Sequence, residues 1–248
     1  MRSEVNSVFL AWQDPENRSW HTVGKLTQEN DLFEFHYTQG ALASELFIPF
    51  SGMDDLGATY RSETLFPLFA NRLLSKRRPE YKRMMSWLGL EESRQNPITI
   101  LAKTGGIKST DNLQLFPELH ASPETGFDVD FFVSGVGFVS ESARQRIKEL
   151  SLNDKLLLMK DFQNEHDNLA LAIRTPDAPE IIGYCPRFLA YGLAELLTDR
   201  VQMDVRVVRV NSDAPLYYQL MCTLRVDPSQ GEGLFNGQEF LTISTRSH

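Results

Sequence analysis

The chain has 248 residues, 42% of them hydrophobic, and carries 33 Asp and Glu against 25 Lys and Arg, a formal net charge of −8. That is enough apolar material for one large or two small packed cores, and the acidic balance excludes a protein that grips duplex DNA through bulk charge. No run approaches the roughly 20 apolar residues of a membrane span, Arg2, Glu4 and Asn6 deny the N-terminus the apolar core of a signal peptide, and Cys185 and Cys222 alone suggest neither a disulfide framework nor a zinc site, so the expectation is a cytoplasmic protein with reduced thiols and no membrane contact.

Taken in order, Ser7 to Trp12 and Thr22 to Leu26 read as strands joined by a polar turn at Asp14 to Arg18, and Leu32 to Tyr37 as a third strand. Helix follows: Leu65, Leu68, Phe69 and Leu73 repeat at helical spacing, and Pro79 opens a second helix carrying Met84, Met85, Trp87 and Leu88 before Gly89 stops it. Between them lies the one dense basic cluster, Arg72 to Arg83, with Lys76, Arg77, Arg78, Lys82 and Arg83. It is either the solvated face of a helical hairpin or a contact for phosphates or an acidic partner. Thr104 to Thr110 contains a glycine pair flanked by Lys103 and Lys108, but it lacks the GxxxxGK-Ser/Thr spacing that cradles phosphates and is read as a tight turn joining helix to strand.

Residues 117 to 127 show neither period and read as a linker. Beyond it, Asp128 to Val133, Lys155 to Lys160, Leu169 to Arg174 and Glu180 to Tyr184 read as strands, the last two joined by a turn at Thr175 to Pro179. Ser140 is placed to cap a helix whose buried side is Ile147 and Leu150. Pro186 starts another, with Leu189, Leu193, Leu196 and Leu197 toward the sheet. Two long strands close the domain, one carried by the alternation of Leu216, Tyr218, Leu220, Cys222, Leu224 and Val226. Pro228 to His248 is either a packed strand or a tail, because Gly231, Gly233 and Gly237 loosen it while Phe235, Phe240, Leu241 and Ile243 give it something to bury. The predicted class is α+β, with domains at 1–120 and 127–228 and a terminal segment at 229–248.

Catalysis finds little support. Asp161, Glu165, His166 and Asp167 are neighbours in one loop, and neighbouring loop residues do not converge on a point unless the chain folds sharply. His21, His36, His120 and His248 lie in unrelated segments, and no Gly-x-Ser-x-Gly or Ser/His/Asp order occurs. No catalytic residue, metal or cofactor is expected.

The polar stretch Asp161-Phe162-Gln163-Asn164-Glu165-His166-Asp167-Asn168, ahead of the apolar Leu169 to Ile173 and followed by Gly183-Tyr184-Cys185-Pro186-Arg187, resembles the HIRAN domain. That is a small β-rich module whose best-understood members bind the 3′ end of single-stranded DNA. The resemblance implies a partly open, OB-like β-barrel with a short helix pair. It also implies a binding site in which His166 stacks on the terminal nucleotide, Asp167 accepts a hydrogen bond from its 3′-hydroxyl, Phe138 is the aromatic of the first strand, Tyr184 forms a wall and Arg187 meets a phosphate. Two positions depart from the DNA-binding pattern: Gly137 stands where a basic residue is usual, and His166 replaces a tyrosine or similar ring. The residues alone also allow Asp167 and its neighbours to cap their own backbone, or the fold to serve protein interaction.

The first half carries a second resemblance. Gly24-Lys25-Leu26, then Leu65 to Leu74 with Phe66, Asn71 and the Leu73-Leu74 pair, then Trp87-Leu88-Gly89-Leu90 and Ile98 to Gly106, look like the N-terminal subdomain of HipA-type toxin kinases, without the kinase core. The two resemblances together imply a prokaryotic, non-enzymatic adaptor that recognises single-stranded DNA or its 3′ end and docks a protein partner. The alternative is a module of a toxin-antitoxin system that restrains a HipA-like kinase and has no DNA role.

Overall fold

A computed structural model describes residues 5–119, 126–196, 203–227 and 237–243. They fall into two compact units: 5–118 with 237–243, and 119 with 126–196 and 203–227. Among the described residues no helix is long and apolar enough to cross a membrane.

The first unit is built on a five-stranded antiparallel sheet of β1 (Ser7–Gln13), β2 (Trp20–Glu29), β3 (Leu32–Tyr37), β4 (Thr59–Ser62) and β5 (Leu113–Pro117), in the order β4-β3-β2-β1-β5. Alternation in β3 buries Phe33, Phe35 and Tyr37 and leaves Glu34 and His36 outward, where Glu34 joins both His36 and Arg61. Three helices accompany the sheet: α1 (Pro67–Ala70), α2 (Glu80–Trp87) and α3 (Pro97–Thr104). In α3, Pro97 occupies the first turn, the Asn96 side chain accepts from Thr99 N at 2.6 Å, and Gly105 ends the helix at φ 68°. Leu115 N then donates to Gly105 O at 2.7 Å, so Thr104 to Thr110 is the helix-to-strand turn expected of it.

The helix expected around Leu65 to Leu73 shrinks to a single turn. Pro67 starts it at the first possible position, and by Asn71 the amides bond three residues back (Arg72 N to Phe69 O, Leu73 N to Ala70 O). The apolar residues still serve the core: Phe69 is fully buried, and Leu65, Leu68 and Leu73 pack against it. Arg72 leaves the basic cluster. Its guanidinium is 2% exposed, paired to Asp111 at 2.6 Å and donating to Gly106 O at 2.7 Å.

The second unit is a six-stranded antiparallel sheet of β6 (Phe127–Phe132), β7 (Lys155–Lys160), β8 (Leu171–Arg174), β9 (Ile181–Tyr184), β10 (Met203–Val210) and β11 (Leu220–Val226), ordered β6-β11-β10-β7-β8-β9. The two outer strands are brought back together where Ser134, just past β6, exchanges two 2.8 Å hydrogen bonds with Tyr184 at the end of β9. This is a partly open barrel. Helix α4 (Glu141–Glu149) starts at Ser140, whose hydroxyl accepts from Ala143 N at 3.0 Å, and buries Ala143 and Ile147. Helix α5 (Arg187–Leu196) follows Pro186 and buries Leu189 and Leu193; Leu197, His120 and residues 120–125 of the linker expected at 117–127 lie outside the described residues.

Two strand assignments change. The alternation that began at Leu216 starts only at Leu220: Leu216–Tyr218 form a 3-10 turn after Pro215, held by Asn211, whose side chain donates to Tyr218 O at 2.7 Å. Leu169 and Ala170 belong to the preceding loop, because Ala170 N bonds Asp167 O and the strand begins at Leu171. The described part of the terminal segment, residues 237–243, joins the first unit, with Gln39 N bonding Leu241 O and Ile243 N bonding Tyr37 O; Gly231, Gly233 and Phe235 are outside the described residues.

Candidate nucleic-acid interface

The loop from Asp161 to Ala170 is closed at its base by Asp161 N donating to Ala170 O at 3.0 Å. Inside it the short polar side chains fold the backbone. Asn164 Oδ1 accepts from the amides of His166 and Asp167, both at 3.0 Å, and Asp161 Oδ1 accepts from Gln163 N at 3.1 Å. These are side-chain turns of the kind Asn and Asp favour, and they give the loop a defined shape without a packed core.

Tyr184 ties that loop to the start of the domain. Its hydroxyl donates to Asp161 Oδ2 at 3.0 Å, and burial, reinforced by this carboxylate, pushes the phenol above its usual range, so it stays a donor at neutral pH. The ring lies against Gly135, where a Cβ would stand 3.0 Å from Tyr184 Cδ2 and where φ is +72°. Both facts demand glycine there. Gly183, at φ +148°, is equally constrained, since a Cβ would meet Ser134 O at 2.6 Å. The register slip between Ile173 and Arg174 shifts the pairing so that Ala172 lies opposite Tyr184.

Asp167 divides its carboxylate between two tasks. Oδ1 accepts from Leu169 N at 3.0 Å, so it caps the loop, while Oδ2 lies 3.7 Å from Arg187 Nη1 at the first residue of α5. Arg187 is 43% exposed and Asp167 18%. A carboxylate oxygen and a guanidinium thus stand together at the surface, able to accept from a hydroxyl and donate to an anion. Cys185, two residues before Arg187, is buried, and desolvation raises its thiol well above the usual range.

Of the five residues singled out from the sequence, the structure couples Asp167 with Arg187 and places Tyr184 on the same loop through Asp161. His166 is in that loop with an exposed side chain for which, among the described residues, no partner occurs beyond its backbone bond. Phe138 is not a strand residue. Gly135 turns the chain out of β6 into a 3-10 turn, Val136–Phe138, and leaves the Phe138 ring 95% exposed. One exposed aromatic is not among the residues singled out from the sequence: Phe162, 88% exposed, directly after the Asp161 that Tyr184 holds. A lone phenylalanine among eight loop residues that are otherwise polar was the available signal. Phe138 and Phe162 therefore rise from two turns anchored on the same tyrosine. Residues 127–228 carry 15 Asp and Glu against 11 Lys and Arg, so any anion held here is held locally. Among the described residues no group of three His, Cys, Asp or Glu could hold a metal ion.

The partly open β-barrel thus carries Asp167 and the exposed Phe162 on one side-chain-braced loop, Arg187 at the start of α5 and the exposed Phe138 on a second turn. Residues 127–228 match the HIRAN domain family, and the chain carries a HIRAN domain over that span. Among solved structures, the chain is similar to the HIRAN domain of human HLTF (15% identity, TM-score 0.32, covering 40% of this chain and 74% of that one). It is also similar to a protein from Lactobacillus plantarum (18% identity, TM-score 0.33, covering 40% and 98%). A search of curated proteins gives no match. The first unit is left unassigned by these comparisons.

Proposed function

We propose that the HIRAN domain of this chain binds single-stranded DNA at its 3′ end, acting by recognition and not by a reaction. The observation that carries this is the divided carboxylate of Asp167: one oxygen builds the loop and the other stands beside Arg187 at the surface. A terminal 3′-hydroxyl has a proton to donate to Oδ2, and a continuing phosphodiester has none. Arg187, at the exposed start of α5, pairs with a neighbouring phosphate where the helix amides also favour negative charge. Phe138 and Phe162 offer faces on which bases stack, at about 1–3 kcal/mol per base and without sequence preference. With Phe162 available, the stacking role does not fall on His166 alone, which lessens the weight of the missing tyrosine.

The proposal is confined to the second unit; no observation favours a kinase partner for the first. It is tested with Asp167→Asn, which keeps an acceptor for Leu169 N and replaces the outer oxygen by a donor. That variant is expected to retain its melting temperature and lose its preference for strands with a free 3′-hydroxyl. Arg187→Gln is expected to weaken binding and to reduce the salt slope by about 0.7. Wild-type binding by both variants would refute the proposal.

A further inference from the structure

The segment Ser75-Lys76-Arg77-Arg78-Pro79-Glu80-Tyr81-Lys82-Arg83 holds five cations and one carboxylate in nine residues of an acidic chain. Lys76, Arg77, Arg78 and Lys82 are exposed, and among the described residues none of the four has an ion pair or a side-chain hydrogen bond. Several arginines elsewhere, among them Arg61, Arg72, Arg144, Arg206 and Arg225, each hold a carboxylate. Three of the four cations precede the N-terminus of α2, where the helix dipole disfavours positive charge. Their charges therefore serve no internal pairing among the described residues.

The backbone that carries them is nonetheless anchored. Ser75 turns the backbone, its carbonyl accepting from Arg78 N at 3.0 Å, and α2 is anchored by Tyr81, Met85 and Leu88, all buried. The Arg83 guanidinium is laid over the Trp87 ring, 5.2 Å from its centroid. No large hydrophobic residue between Ile48 and Ile107 is exposed among the described residues, so the segment lacks the apolar anchor that a protein interface is built around. Contact with a phosphate backbone needs only the cations.

We propose that residues 75–83 form a second, end-independent contact for the phosphate backbone of single-stranded DNA. The ligand is that of the proposed end site, but the residues and the test are separate. The full chain is titrated with a closed circular single strand, which has no 3′ end, across a range of salt concentrations. The comparison is with the variant carrying Lys76→Gln, Arg77→Gln, Arg78→Gln and Lys82→Gln. Wild type is expected to bind the circle. The variant is expected to weaken that binding on the order of several hundredfold at about 0.1 M salt and to flatten the salt slope by about 3, four contacts at about 0.7 each. Its preference for a free over a blocked 3′ end on a strand of about 8 nucleotides, within the site size of one small β-domain, is expected to stand. Equal binding of the circle by both proteins, or none by wild type, would overturn the proposal; so would a cation-dependent complex with polyglutamate in place of the circle, which would assign the segment to an acidic protein. Loss of end preference in wild type, with the circle still bound, would remove the end site and leave this one. Should the fourfold variant not fold, Arg78→Glu alone is expected to weaken circle binding about tenfold, and an unchanged affinity would count against the segment.

Discussion

The first unit turns its aromatic cluster inward, whereas the second, which also buries Phe127, Phe131 and Phe132, leaves two phenylalanines in solvent. In the first, Phe35, Tyr37, Phe47, Phe50 and Phe69 turn inward and contact one another, with centroids 5.0 Å apart for Phe35 and Tyr37, 5.7 Å for Phe35 and Phe69 and 5.8 Å for Tyr37 and Phe50. In the second, Phe138 and Phe162 are left almost wholly in solvent at 95% and 88% exposure, each on a turn braced by polar contacts. Side chains of one chemical type thus carry stability in one place and are withheld from the core in the other. Single exposed apolar rings are common on protein surfaces; these two stand out because both belong to turns that meet Tyr184.

The contrast can be broken experimentally, and the largest effect belongs to the inward set. Phe69→Ala is expected to cost about 3–5 kcal/mol in urea unfolding, because it empties the centre of the first core. Tyr37→Phe follows at about 1–3 kcal/mol, since the Tyr37 hydroxyl donates to Met53 O at 2.8 Å and accepts from Phe50 N at 2.7 Å, leaving two groups unpaired when it is removed. Burial pushes this phenol up from 10.0 to about 12. Its contribution to stability is therefore complete below pH 10 and lost as the pH rises toward 12, and the phenylalanine variant lacks that alkaline decline. Tyr184→Phe, which frees Asp161, is expected to cost about 0.5–1.5 kcal/mol and to raise amide exchange in the 161–170 loop. Phe162→Ser is expected to change stability by less than about 0.5 kcal/mol while weakening strand binding about tenfold, one stacked base lost. A stability loss from Phe162→Ser equal to that of Phe69→Ala would erase the distinction between the two sets.

Much of this was visible in the residues, and the misses share a cause. Strands such as Leu32–Tyr37 and Lys155–Lys160, and the Ser140 cap, follow from local rules: alternation, propensity and a hydroxyl three residues ahead of an amide. Leu216–Tyr218 continued an alternation that Asn211 bends into a turn from seven residues away. The family resemblance places Phe138 on the first strand, beyond the strand read at Asp128 to Val133, whereas Gly135 makes a left-handed turn against Tyr184, which is distant in sequence. Phe162 is marked locally only as the one apolar residue of its loop; its turn is held by the bond between Asp161 and Tyr184, 23 residues apart. Asp167 and Arg187 were chosen through family resemblance, and the structure brings them to 3.7 Å. Long-range tethers, which position a binding site, leave the weakest trace in a linear sequence.

The central claim is that this HIRAN domain reads a DNA end through Asp167. It is tested most directly by titrating the full chain with a fluorescent single strand of about 8 nucleotides, once with a free 3′-hydroxyl and once with that hydroxyl blocked. Tighter binding of the free end by wild type, with the difference abolished in Asp167→Asn, is the predicted result. Equal affinities of wild type for the two strands would contradict it.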